Sequence, residues 1–136
     1  MSFEHFDHRA DVGIRGTGVT LAEAFENAGR ALFAVMTDLE TVQPNDKIEI
    51  SIEATNKEEL FYKWLSELIF LMNVENMLFS KFSVEIKNNG LTGHAHGEPI
   101  DFNRHSLNVE VKAITYSQLK VKKSGNLWTT QCIVDL

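Results

Sequence analysis

The chain has one cysteine, Cys132, and two prolines, Pro44 and Pro99, in 136 residues. A lone thiol excludes an internal disulfide and any cysteine-rich zinc site, and it fits a reducing compartment. Long apolar runs are missing too. The longest, Ala31 to Met36, falls far short of the roughly 18 residues that a membrane span needs. Glu4, His5 and Asp7 stand where a signal peptide would be basic and then apolar, so a cytoplasmic protein with no membrane partner is expected. Basic charge is also scarce. Thirteen Lys and Arg against 19 Asp and Glu leave a net charge of −6 and a pI near 5.3. Tight sequence-independent binding to RNA draws on counterions released by a basic face. The densest basic cluster is only Lys120-Val121-Lys122-Lys123. Tight direct nucleic-acid binding is therefore not expected; cations and basic protein surfaces suit this chain better.

What is present belongs to an ordinary globular domain. Apolar residues make up 43% and charged residues 24%, with nine Phe and two Trp as bulky core material. Repeats, low-complexity tracts and linkers are absent from the sequence, so residues 1–136 form one domain. Thr20-Leu21-Ala22-Glu23 is a capping-box signature. Leu21, Ala24, Phe25, Ala28, Leu32, Val35 and Met36 then recur at helical spacing, predicting a helix to about Thr37. Asn56-Lys57-Glu58-Glu59 starts a second helix, with Leu60, Phe61, Trp64, Leu65, Leu68 and Met72 on one stripe.

Elsewhere the period is two. Phe3 to Phe6 and Asp11 to Thr17 read as one or two short strands. Ile48, Ile50, Ile52 and Ala54 form another, and Phe82, Val84 and Ile86 a further one. Asn88-Asn89-Gly90 predicts a tight hairpin, since both central residues tolerate positive φ. The return strand carries Leu91 to Gly97. Leu107, Val109, Val111 and Ala113 predict a long strand, Leu119 and Val121 another, and a turn at Ser124-Gly125-Asn126 leads to a last strand, Leu127 to Leu136. The result is an α+β domain: two amphipathic helices packed on a mixed, largely antiparallel sheet of about seven strands.

The chemistry concentrates at the two ends. Asp7-His8-Arg9-Ala10-Asp11 offers two carboxylates and an imidazole, and Asp135 stands one residue from the Leu136 carboxylate. An Asp entering a strand is ordinarily a solvated turn residue. A paired final strand, however, gives Asp135 few reasons to exist. If the first and last strands pair, these oxygens converge on one divalent cation. Carboxylates suit Ca²⁺, Mg²⁺ or Mn²⁺; adding His8 shifts the preference toward Mn²⁺ or Zn²⁺. Lys112, with Glu110 two residues earlier, reads either as half of a cross-strand ion pair or as a fixed positive charge beside the acidic site. His94 and His96 share one face of a strand with Glu98, best read as the polar face of a hairpin. His105 is a loop histidine, either solvated or a proton carrier. Gly13-Ile14-Arg15-Gly16-Thr17-Gly18 lacks the spacing of a phosphate loop, and alternation places Cys132 inside with Thr130 and Val134.

Taken together, these residues resemble the archease family. The likeness lies in His8-x-Ala10-Asp11-Val12-Gly13, Gly18-x-Thr20-Leu21, Trp64-Leu65-x-Glu67-Leu68, Gly97-Glu98, His105, Val111-Lys112-Ala113-Ile114-Thr115-Tyr116 and Asp135-Leu136. Arg9 departs from the family's usual Thr, and Ser117 from a His that often follows the Tyr. The resemblance implies an accessory protein, not an enzyme: an activator of the GTP-dependent tRNA-splicing RNA ligase that promotes guanylylation of the ligase and its multiple turnover. It implies Asp11, Asp135 and Leu136 as ligands of a divalent cation, Ca²⁺ or Mn²⁺/Mg²⁺. His8, Glu98, His105 and Lys112 are the partner-facing candidates. A chaperone-like role toward an RNA methyltransferase and a stand-alone metal-dependent hydrolase are the alternatives.

Overall fold

Two capping boxes fix where the helices begin. Thr20 Oγ1 accepts the Glu23 N–H at 3.0 Å, and Glu23 Oε1 reaches back to the Val19 N–H at 2.9 Å. Asn56 Oδ1 and Glu59 Oε1 repeat the arrangement with the Glu59 and Thr55 amides, each at 2.8 Å. The backbone donation pulls the Glu23 and Glu59 carboxyls below the usual carboxylate range. From these starts run α1 (Leu21–Met36), capped by Thr37 as expected, and α2 (Lys57–Glu75), closed by left-handed Asn76.

The computed structural model describes residues 2–8 and 11–136. Its strands are β1 (Ser2–His8), β2 (Asp11–Gly18), β3 (Asp46–Glu53), β4 (Met77–Lys87), β5 (Gly90–Pro99), β6 (Ala113–Ile114), β7 (Lys120–Ser124) and β8 (Leu127–Asp135). The fold is α+β, as expected, but the strands form two sheets where one was expected. β1-β2-β8-β6 is one path, with β7 also on β8, and β3-β5-β4 is the second sheet. Every pairing among the described residues is antiparallel.

α1 lies against both sheets. Glycine at Gly16 lets the helix backbone at Ala24 and Ala28 approach β2 with no side chain between them. On the other side the Glu26 carboxylate accepts the outward Val84 N–H of β4 at 2.9 Å, capping that sheet edge. α2 adds the largest core side chain, Trp64, whose indole N–H donates to the Phe25 carbonyl at 2.9 Å. Edge-to-face pairs Phe25–Phe61, Phe33–Phe79 and Trp64–Phe82 fill the space around it. Cys132 is fully buried, and burial pushes its thiol up to about 12. Among the described residues no helix is long and apolar enough to cross a membrane.

The tight β4–β5 hairpin forms as expected, with Lys87 paired to Gly90 and Asn88 at a positive φ of 58°. One local expectation fails: the long strand expected over Leu107 to Ala113 shrinks to Ala113–Ile114. The reason is competition for the edge of β8. β7 pairs along residues 127–131 of β8, and the Ser117 carbonyl takes the Ile133 N–H, so only Val134 and Asp135 remain free to pair. Residues 107–112 instead run as an irregular segment, tied by Asn108 N–H to the Met36 carbonyl at 2.8 Å.

Candidate functional site

Strand register decides where the charged residues go. β2 and β8 pair with Val12 opposite Val134. That is the last pair of the register, so Asp11 and Asp135 are the next residue on each strand. On the other side of β8, Ala113 pairs with Asp135, and the Lys112 N–H donates to the Asp135 carbonyl at 2.8 Å. The start of β2, the end of β8 and the Lys112-Ala113-Ile114 segment therefore meet at one end of the five-stranded sheet. Residues directly opposite in an antiparallel pair lie roughly 4.5–5.5 Å apart at Cα and project to the same face. Asp11 and Asp135 thus share the face opposite to Ile14, Cys132 and Val134, which look into the core.

Asp11 is half-buried and Asp135 exposed. Neither carboxylate has a hydrogen bond or ion pair among the described residues. Two like charges facing each other on neighbouring strands are destabilising. Their oxygens form a hard, anionic donor set of the kind that Ca²⁺, Mg²⁺ or Mn²⁺ prefers. The chain beyond them is anchored, since the Leu136 side chain packs half-buried against the core. His8 sits opposite Asp11 in the β1–β2 register, while its side chain, together with Arg9 and Ala10 of the opening motif, lies outside the described residues. No three His, Cys, Asp or Glu side chains cluster to hold a metal among the described residues, so the two aspartates need a further donor.

Lys112 is exposed and makes no ion pair among the described residues, with Glu110 or any other group. It borders a cleft of about 250 Å³ shared with Tyr62, Ser66 and Phe70 of α2. By alternation from Ala113 it leaves the sheet on the helix side, away from the two aspartates. Tyr116, just beyond, stacks on Tyr62 with ring centroids 4.3 Å apart and planes at 11°.

Glu98 and His105 are brought together, but in the other sheet and its exit loop. His105 is buried, correcting the expectation of a solvated loop residue. The Asp101 N–H donates to its Nδ1 at 2.9 Å, so Nε2 carries the hydrogen and donates to Glu98 Oε2 at 3.0 Å. Glu98 also accepts both Arg104 terminal nitrogens, at 2.6 and 2.8 Å, and the Gln43 N–H at 2.7 Å. The Arg104 guanidinium first, then the Gln43 amide and His105, hold its carboxyl at about 2 against the opposing effect of burial. This network locks the loop after β5 and has no contact with Asp11, Asp135 or Lys112. Sequence reading missed Arg104 and Gln43, and nothing in their spacing announced them. His94 and His96 lie on the polar outer face of the second sheet, as expected, with His96 Nε2 3.1 Å from Ser83 Oγ.

Residues 3–136 match the family model described as the Archease protein family. The protein archease of Sulfurisphaera tokodaii is 45% identical over 136 residues, covering 98% of each chain. That of Methanopyrus kandleri is 38% identical and covers 100% of both. The solution structure of Methanobacterium thermoautotrophicum protein 1598 is 40% identical, with a TM-score of 0.87 over 99% of each chain. The crystal structure of a Thermotoga maritima archease, described as a possible chaperone, shares the fold at 17% identity and a TM-score of 0.64, covering 98% of this chain and 96% of that one. This chain belongs to the archease family.

Proposed function

We propose that this protein binds a divalent cation, Ca²⁺ or Mn²⁺/Mg²⁺, and activates a GTP-dependent tRNA-splicing RNA ligase without being an enzyme itself. Asp11, Asp135 and the Leu136 carboxylate hold the cation, and Lys112 supplies a fixed positive charge on the segment bonded to Asp135. The reading is carried by one observation: the β2–β8 pairing ends at Val12–Val134, which leaves Asp11 and Asp135 as the next residues of adjacent strands with no cationic partner among the described residues. A cation there neutralises their repulsion and presents positive charge at an otherwise acidic end of the molecule. Its role toward the ligase is to raise the guanylylated fraction and sustain turnover. The negative net charge of −6 suits a protein that meets RNA only through its partner.

The test is a guanylylation assay with the purified cognate ligase and labelled GTP. Added protein should raise the labelled fraction and allow many turnovers. Asp11→Ala should abolish that stimulation while leaving the circular dichroism spectrum unchanged, because the residue begins a strand outside the core. Normal stimulation by the variant would make the aspartate pair incidental.

A second reading, a chaperone-like modulator of an RNA methyltransferase, draws on the Thermotoga maritima relative described as a possible chaperone and on exposed Phe70 and Val74. A metal-dependent hydrolase is disfavoured, since no general base or set of oxyanion donors accompanies the aspartates among the described residues.

A further inference from the structure

Phe70 and Val74 stand four residues apart on α2 and are 57% and 59% exposed. They form an outward apolar ridge on the second half of the helix, among the exposed polar residues Lys63, Asn73 and Glu75. Here the surface on either side of the ridge is grooved. A cleft of about 500 Å³ separates it from the open edge of β3 at Ser51–Glu53. Another, about 250 Å³, separates it from Lys112–Ile114. A third, about 450 Å³, opens between the end of the helix and residues 107–110. The irregular 107–116 segment thus runs antiparallel to α2, with 107–110 beside its last turn and Tyr116 stacked on Tyr62. Leu107 and Val109, each 41% exposed, and Tyr116, 58% exposed, extend the apolar strip. Contiguous exposed apolar surface of this kind marks an interaction site.

We propose that this strip is the docking surface for a protein whose apolar contact is rimmed by Lys and Arg. The proposal rests on the accessory-protein reading above, in which that partner is the ligase. Charge selects the occupant. The cleft walls and their margin carry Glu53, Glu59, Glu67 and Glu110 against Lys63 and Lys112. Lys63 is already engaged, its ammonium 3.0 Å from the Glu53 carbonyl and 3.7 Å from Glu59. A second copy would bring the same carboxylates face to face across a two-fold axis, in a chain of net charge −6. A basic-rimmed partner meets attraction instead. Lys112 lies within the strip and its backbone N–H is bonded to the Asp135 carbonyl, so a protein seated on it lies next to the strand end that carries Asp135, on the opposite face from the carboxylate.

The experiment compares the full-length chain with Phe70→Ser/Val74→Ser, both checked by circular dichroism. Calorimetry measures binding to the purified cognate ligase at low and high salt. The double variant should bind about tenfold more weakly or worse, as for an apolar anchor lost from an interface centre, with unchanged Ca²⁺ or Mn²⁺ affinity. Wild-type binding should weaken as salt rises. Wild-type affinity in the double variant overturns the docking surface and leaves the accessory reading standing. If the unmodified chain does not bind the ligase, the accessory reading itself fails and the partner assignment falls with it. A dimer seen by light scattering and dissolved by the double substitution assigns the strip to a second copy and also overturns the proposal.

Discussion

His105 gives its Nε2 hydrogen to Glu98 across 3.0 Å, with both side chains buried. The tautomer is fixed from the other side of the ring by the Asp101 amide. Glu98 is thereby the acceptor for four donors from three residues, on two separate stretches of chain. Glu98→Gln removes the charge that Arg104 grips. Arg104 is 44% exposed and regains water, so the cost should be about 2 kcal/mol, below that of a wholly buried pair. Urea denaturation near neutral pH measures it. The carboxyl titrates near 2 in the folded protein against an ordinary 4.5. Its ionised form therefore contributes stability in full above about pH 4.5, and that contribution fades as pH falls toward 2. The gap in Tm between wild type and Glu98→Gln should narrow over that window. A gap independent of pH would mean that the charge is not what holds the loop.

A second expectation concerns the contact between α1 and β2. A methyl group at position 16 would collide with the backbone of Ala24 and Ala28, atoms that cannot rotate aside. Gly16→Ala should destabilise the protein by roughly 3 kcal/mol, at the upper end for overpacking. Gly90→Ala is the control, because a methyl group there would lie 3.5 Å from the Lys87 carbonyl oxygen, an ordinary contact distance. It should change stability little. Equal losses in thermal melts would show that α1 does not sit on β2 as described.

The features readable in the sequence were those set by local chemistry. Thr20 and Asn56 begin helices because their side chains bond amides three residues on, and that spacing is visible in one dimension. Alternation likewise placed Cys132, Thr130 and Val134 inside. What escaped was competition between distant segments. Leu107 to Ala113 has a sound strand pattern, yet β7 already holds the edge of β8 that it would need. The burial of His105 depends on Glu98 and on a loop closed by Arg104, none of which spacing reveals. The division into two sheets was invisible for the same reason, since it turns on which edges stay free. Asp11 and Asp135 fall between these cases: alternation fixed the face of each, and the β2–β8 pairing brought their strand ends together.

That register also bears on the end of the chain. Val134 is paired on both sides, by β2 and by β6, Asp135 pairs with Ala113 of β6, and the Leu136 side chain packs half-buried on the core. The proposed ligand set adds the Leu136 carboxylate to Asp11 and Asp135, which requires that group to be free and anionic. A tag appended after Leu136 turns the anion into a neutral amide and places bulk where the ion would sit. A tag before Met1 leaves all three groups as they are. Fewer anionic oxygens weaken the hold on a hard cation, so the C-terminal tag should lower Ca²⁺ or Mn²⁺ affinity by roughly tenfold or more. Ligase stimulation should fall in parallel. Calorimetry on the two tagged forms, at one pH and salt concentration, makes the comparison. Equal affinities would remove Leu136 from the ligand set and leave the two aspartates in need of a different third donor.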